Sequence, residues 1–152
     1  IGFEVHYDTS IDMDTLPEMI HDYDGIIINS KIKMMKPLID KGAKLKFIAR
    51  LGSGMEIIDV PYAKSKGIAA INSPEGNRNA VAEHAIGMLL CLSNQLYKAN
   101  TEVKNFIWKR EENRGFELGG KTIGIIGLGN TGETMAKKLS SWQMLSNYGR
   151  SW

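Results

Sequence analysis

The chain has 152 residues, 43% of them hydrophobic and 24% charged, a mix that suits one domain or two small ones with a real core and excludes a disordered, collagen-like or coiled-coil chain. Nineteen Lys and Arg against seventeen Asp and Glu leave a formal charge of +2, too little to argue for nucleic acid or an anionic membrane as partner. A single cysteine, Cys91, excludes an internal disulfide and a multi-cysteine zinc site, and no apolar run reaches the roughly 18 residues of a membrane span.

The sequence opens on Ile1-Gly2-Phe3, without the Met and basic patch of a secretory signal. Phe3, Val5 and Tyr7 alternate and predict a short strand. Asp14 or Thr15 is placed to cap a helix running to about His21, with Pro17 in its first turn. Ile26-Ile27-Ile28, after Asp24-Gly25, reads as a buried parallel strand. Residues 37–41 predict a short helix that Gly42 ends. Leu45, Phe47, Ile48 and Ala49 predict the next strand, whose end delivers Arg50-Leu51-Gly52-Ser53-Gly54. Residues 60–66 predict another helix, stopped by Gly67, and residues 68–71 a fourth strand ending at Asn72-Ser73-Pro74. Strand, turn, helix and strand at this spacing indicate βαβ units and a parallel sheet, hence an α/β fold.

A long helix is expected from about Asn79 or Ala80 to Ala99 or beyond. Val81, Ala82, Ala85, Leu89, Leu92 and Leu96 form one stripe, and Ile86, Met88 and Leu90 widen it past half the surface. Such a helix is expected to be mostly buried, connecting two domains and packing between two subunits. The composition shift between about residues 100 and 120 suggests a domain boundary. Residues 121–126 then predict a strand, and Met135, Ala136 and Leu139 show helical spacing after it.

Gly127-Leu128-Gly129-Asn130-Thr131-Gly132 lies on that strand-to-helix turn. For a dinucleotide site the first glycine makes the turn, the second lets the backbone approach a pyrophosphate, and the third lets helix and strand pack closely. The helix amino end adds free N–H groups and a positive dipole. The alternative is a purely structural glycine turn. A second strand ending in Asp or Glu is expected about 20 residues on, yet the segment from Ser140 to Trp152 has no acidic residue and little strand alternation.

Arg50 to Gly54 sits at a strand end, where open α/β sheets bind ligands. Its glycines expose backbone N–H groups as an anion nest and Arg50 adds a carboxylate or phosphate contact, or the segment is an ordinary turn with a solvent-facing arginine. Asn72 to Asn77 reads as a polar loop that lines a cleft or caps the long helix. His84, one position off the apolar stripe, reads as a structural histidine before a catalytic one. His6, His21 and His84 are too scattered for a metal. Cys91, among leucines, reads as a small core residue. Trp108 with Lys109 and Arg110 either clamps a helix end or forms a solvated basic face.

These blocks together resemble the D-isomer-specific 2-hydroxyacid dehydrogenases. The resemblance runs over about residues 3 to 139. It is carried by Leu45 to Gly54, Ile58-Asp59, Lys66-Gly67-Ile68, Asn72 to Asn77, Ala82-Glu83-His84, Trp108-Lys109-Arg110 and Glu117 to Gly129. It implies a flavodoxin-like or Rossmann-like parallel sheet followed by a long linking helix and the first βα unit of a nucleotide-binding domain. Residues 1–99 would belong to the substrate domain, 100–117 to the connection and 118–152 to the NAD domain, as a fragment of a longer enzyme missing its opening strand and helix.

The implied activity is NAD-dependent oxidation of a D-2-hydroxy acid, most closely 3-phosphoglycerate for serine biosynthesis, with glycerate- or lactate-type substrates next. A non-catalytic NAD-binding or dimerisation module is the other reading. The resemblance places the substrate carboxylate on the N–H groups of Ser53 and Gly54, a substrate phosphate near Arg50, and the NAD pyrophosphate on Gly127, Gly129, Asn130, Thr131 and Gly132. It places the catalytic arginine, glutamate and histidine beyond position 152. A cytoplasmic homodimer through the long helix, with a small 2-hydroxy or 2-oxo acid as partner and neither nucleic acid, membrane nor metal, completes the expectation. Asn29, where phosphoglycerate-specific members carry an arginine, and Met55-Glu56, where Val-Asp is usual, depart from the pattern.

Overall fold

A computed structural model of the protein describes residues 2–149. The chain divides into two compact units, Ile1–Gly76 and Asn77–Trp152.

The first unit is a three-stranded, wholly parallel sheet in the order β1 (Gly25–Ile28), β2 (Phe47–Arg50), β3 (Ala69–Asn72). Its helices are α1 (Leu16–Met19, continued by a tight turn over Ile20–Asp22), α2 (Lys36–Lys41) and α3 (Val60–Ser65). Gly25 pairs with Phe47 and Phe47 with Ala69; Ile28 pairs with Arg50 and Arg50 with Asn72. Because all three strands run the same way, their carboxyl ends share one edge, and that edge carries Asn29, Arg50 and Asn72. Ile20, Met34, Ile48 and Ala63 are fully buried at the centre of the core. Gly25 leaves room for the half-buried Phe47 ring: a Cβ there would lie 2.1 Å from it, so the ring would have to move.

Local signals account for the helices. Asp59 caps α3 by accepting the Tyr62 N–H at 3.1 Å, and Gly67 leaves it at φ +78°. Gly42 ends α2 as expected. Thr15 stands at the N-cap position of α1, one of the two expected, but its side chain makes no capping bond; the turn ahead of the helix is closed by the Asp12 carboxylate. It accepts the N–H groups of Asp14 and Thr15 and the Thr15 hydroxyl at 2.9–3.0 Å. These bonds, led by the Thr15 N–H, hold the Asp12 carboxyl below its usual range.

Two expectations for this unit are corrected. Phe3, Val5 and Tyr7 form no strand; all three are exposed, because alternation makes a strand only where a neighbouring ladder receives it. Ile26 to Ile28 is parallel as expected but buried on one face only: Ile28 is inside while Ile27 is 62% exposed. It is an edge strand with one face covered among the described residues.

The second unit holds α4 (Pro74–Ser93, whose first turn belongs to the first unit), α5 (Leu96–Lys104), β4 (Thr122–Ile126), α6 (Asn130–Ser140) and β5 (Leu145–Gly149). β4 and β5 pair in parallel, from Thr122 opposite Leu145 to Ile126 opposite Gly149. Ile86, Leu118, Leu139 and Met144 form its core, with Leu89, Leu90, Ile123 and Met135 packed on them.

The long helix is corrected three ways. It starts at Pro74, so residues 74–77 are its first turn, not a loop. It breaks at Gln95, which has φ +51°. The Ser93 carbonyl, which a continuous helix would give to Tyr97, accepts the Phe116 N–H at 3.0 Å instead. Ser93 Oγ and Asn94 Nδ2 also fold back to the Leu90 carbonyl, both at 3.2 Å. Nor is it mostly buried: Ala82, Ile86 and Ser93 are inside, while Met88 and Leu92 are exposed. A second strand, β5, does follow α6 despite its weak alternation, because the β4 backbone receives it. The end of that segment, Arg150-Ser151-Trp152, lies outside the described residues. Among the described residues no helix is long and apolar enough to cross a membrane.

Candidate functional site

The carboxyl end of β2 turns sharply through Arg50 to Gly54. The Leu51 N–H donates to the Ile28 carbonyl at 2.9 Å, which fastens the start of the loop to β1. The Ser73 N–H donates to the Gly52 carbonyl at 3.0 Å, and Asn72 Nδ2 donates to the Ser53 carbonyl at 2.6 Å, fastening its middle to β3. Arg50 closes it: Nη1 donates to the Gly54 carbonyl and Nη2 lies 3.3 Å from Glu56 Oε1.

The Arg50 side chain is only 14% exposed, and its Nε is buried with no partner among the described residues. The arginine therefore neither faces solvent nor projects away from the loop; it folds back across it. Gly54 permits this, since a Cβ there would lie 2.1 Å from Glu56 Oε2 and 2.7 Å from Arg50 Nη1. Ser53 is exposed and Gly54 half-buried, and among the described residues no acceptor takes the N–H of either.

In the second unit the turn after β4 follows the expected glycine logic. Gly127 has φ +91°, a conformation that favours glycine. A Cβ on Gly132 would lie 2.1 Å from the Gly127 carbonyl oxygen and 3.4 Å from Ile125 Cγ2. A Cβ on Gly129 would meet nothing within 4 Å, so the backbone there is open to close approach. Helix α6 starts at Asn130, and its first hydrogen bond runs from the Glu133 N–H to the Gly129 carbonyl at 2.9 Å. The N–H groups of Asn130, Thr131 and Gly132 thus lie in the unpaired first turn. Glu133, the one acid in that turn, pairs with Lys137 at 2.5 Å. The hydrogen bond and charge of Lys137 hold its carboxyl below the usual range.

The remaining candidates are placed as follows. His84 is exposed on α4. Its neighbour Glu83 accepts Lys138 Nζ at 2.8 Å and Asn79 Nδ2 at 3.1 Å, tying α4 to α6. Lys138 holds the Glu83 carboxyl below its usual range. Cys91 is exposed, not a core residue, because the helix turns that face outward. Trp108 is 80% exposed. The clamp near α5 is made by Glu102, which lies 3.8 Å from Lys109 Nζ and accepts Asn113 Nδ2.

A cavity of about 740 Å³ opens among Ala85, Met88, Leu89, Leu92, Ile123 and Met135. Its lining is almost wholly apolar, and none of the loop or turn residues above reaches it. It lacks the convergent polar groups of a binding site. Sequence reasoning missed Asn72 as a fastener of the β2 loop and Glu56 as the partner of Arg50. A donor side chain at the neighbouring strand end and an acid six residues after a loop arginine are the available signals.

The sequence matches the family described as D-isomer specific 2-hydroxyacid dehydrogenase, catalytic domain, over residues 1–143. It is 38% identical over 133 residues to D-3-phosphoglycerate dehydrogenase of Synechocystis sp., covering 88% of this chain and 24% of that protein. The chain thus spans about a quarter of the length of the curated relatives it matches. NAD+-bound 3-phosphoglycerate dehydrogenase of Entamoeba histolytica is 31% identical at a TM-score of 0.71, covering 91% of this chain and 41% of that one. D-lactate dehydrogenase of Aquifex aeolicus, solved with NAD and lactic acid, is 26% identical at a TM-score of 0.80, covering 90% and 42%.

Proposed function

We infer the function from one premise: the chain belongs to the D-isomer specific 2-hydroxyacid dehydrogenase family. We propose that it serves NAD-dependent oxidation of the CH–OH group of a D-2-hydroxy acid, with 3-phosphoglycerate in serine biosynthesis as the favoured substrate and pathway. The recurrence of phosphoglycerate dehydrogenases among relatives at 34–38% identity supports that choice. The likeness to a lactate enzyme keeps glycerate- and lactate-type acids as the next candidates.

The observation that carries the proposal is the Gly127–Gly132 turn. Gly132 is sealed against the Gly127 carbonyl, while the space beside Gly129 is open, the combination a pyrophosphate needs. In this reading Gly127, Gly129, Asn130, Thr131 and Gly132 hold the NAD pyrophosphate. Ser53 and Gly54 hold the substrate carboxylate on their free N–H groups, and Arg50 stands by the substrate phosphate. When bound, NAD supplies the hydride acceptor. Residues 1–99 act as the substrate domain, 100–117 as the connection and 118–152 as the start of the NAD domain, in a cytoplasmic protein.

The proposed division of labour is that this chain binds and orients, while the proton transfer uses an arginine, a glutamate and a histidine that it does not supply. Calorimetric titration of the chain with NAD, beside an NADH-absorbance assay with D-3-phosphoglycerate, D-glycerate and D-lactate, tests both parts. Saturable NAD binding without turnover is expected. Turnover by the chain alone overturns the division of labour, and absence of NAD binding overturns the cofactor reading.

A second reading, a module that dimerises through the long helix, is favoured by one observation. Met88 and Leu92 of α4, with Leu96 and Tyr97 at the start of α5, are at least half exposed, more apolar surface than single surface residues need. Sedimentation of the chain at rising concentration tests it: a dimer that Leu92→Glu returns to monomer is expected.

A further inference from the structure

From the carbonyl oxygens of the β2 loop we infer that Asn72 is a positioning residue for anion binding there, and that the Met55 N–H is a third donor beside those of Ser53 and Gly54. The inference rests on the reading that this loop receives the substrate carboxylate.

Three successive peptide units are each gripped by the carbonyl oxygen, and each by a different group. The Gly52 carbonyl accepts the Ser73 N–H at 3.0 Å. The Ser53 carbonyl accepts Asn72 Nδ2 at 2.6 Å. The Gly54 carbonyl accepts Arg50 Nη1. A trans peptide is planar, with its N–H directed opposite to its C=O, and no cis peptide occurs among the described residues. Fixing the carbonyl of residue 52 therefore fixes the N–H of Ser53; residue 53 fixes Gly54; residue 54 fixes Met55. Each of the three N–H groups is thus turned away from the group that holds its own peptide's carbonyl, and none has a protein acceptor among the described residues.

A run of unpaired N–H groups held in fixed directions is an anion receptor whose ordering cost has been met during folding. The grip comes from the sheet. Asn72 is the residue paired with Arg50 in the β2–β3 register, so strand pairing carries its amide to the loop. Arg50 has the same duty at the third carbonyl. Its guanidinium is committed to Gly54 and Glu56, so on this structure it orders the receptor more than it presents a free charge.

Asn72 touches no ligand in this scheme. Its loss is expected to act on the loop alone, and the readout must separate that from damage to the sheet. The experiment is nuclear magnetic resonance of the isotope-labelled chain, as wild type, Asn72→Ala and the milder Asn72→Ser. Backbone relaxation of residues 53–55 is measured first, then their amide shifts during titration with D-glycerate.

In the wild type the three amides are expected to be as rigid as Ile48 of β2 and to shift together, saturably, with one Kd. In both variants the Gly54 amide, whose peptide unit Asn72 grips, gains fast motion while Ser53, still held through Ser73, does not, and the Kd rises about tenfold, the effect of one net hydrogen bond. The amides of Ile28 and Ile48 stay in place. Variants that keep a rigid loop and an unchanged Kd overturn the role of Asn72 while the carboxylate reading stands. A Met55 amide that does not follow the other two overturns the third donor. A wild-type loop that shows no saturable shift overturns the carboxylate reading and this inference with it.

Discussion

The third glycine of the β4–α6 turn stands against the first: a Cβ on Gly132 would lie 2.1 Å from the carbonyl oxygen of Gly127. That oxygen belongs to rigid backbone, so alanine at position 132 must push α6 away from β4. We expect Gly132→Ala to destabilise the second unit by about 1–3 kcal/mol, the usual cost of overpacking. Thermal unfolding followed by circular dichroism measures it, and an unchanged midpoint would refute the packing role.

Gly129 makes the opposite case. Its φ of −92° suits any residue and its Cβ direction is empty. Gly129→Ala is expected to leave the unfolding midpoint within about 1 kcal/mol of wild type while weakening NAD binding at least tenfold, because the methyl occupies the space the pyrophosphate needs. Paired melting and calorimetry separate the two glycines: one fails by folding, the other by binding.

Arg50 and Glu56 close over Gly54, and the order in which this arrangement gives way is testable. Glu56 is 68% exposed and its side chain is free to swing into solvent, so a methyl at position 54 displaces its carboxylate before it moves β2. Gly54→Ala is expected to cost about 1 kcal/mol or less and to release the Arg50 guanidinium. Arg50→Met costs more, about 1–3 kcal/mol, since it leaves a partly buried carbonyl unpaired. Urea unfolding of both variants gives the comparison; equal losses would refute the order.

Asp40 accepts the Tyr62 hydroxyl at 2.6 Å and lies 3.1 Å from Lys66 Nζ. The Tyr62 hydrogen bond first, then Lys66, holds its carboxyl below the usual range, and Asp40 holds Lys66 above its own. For a depressed carboxyl the stabilisation is present above the ordinary value near ~4 and is lost as pH falls through the lowered one. For the raised lysine it is present below the ordinary value near ~10.4 and is lost as pH rises through the raised one. Tyr62→Phe is therefore expected to move the Asp40 titration upward and to shrink the acid-side loss of stability. Carbon-detected titration of Asp40 checks the direction. Because both groups are half exposed, added salt is expected to reduce the effect.

Much of this protein is written locally. The periodicities place β1, β2, β3 and β4 and helices α2 and α3 within a residue or two of where they form, and the spacing of Met135, Ala136 and Leu139 falls inside α6, because each rests on an apolar run bounded by Gly, Pro or an Asp cap that acts on its immediate neighbours. The glycine turn is legible for the same reason: Gly127 and Gly132 answer to contacts within five residues. The family blocks also carry the functional proposal, which rests on residue types in order.

What only the tertiary structure decides is everything set by a partner distant in sequence. Phe3 to Tyr7 alternates without a neighbouring ladder, whereas the weakly patterned segment 145–149 becomes a strand because β4 receives it. The long helix breaks at Gln95 because the N–H of Phe116 takes a carbonyl from 23 positions earlier in the chain. Cys91 and Leu92 face outward because nothing among the described residues covers that side of α4. Above all, the direction of the Ser53 and Gly54 N–H groups is set by Asn72 and Ser73. Those residues reach the loop only because parallel pairing lays the end of β3 beside the end of β2, and no reading of single segments supplies that register.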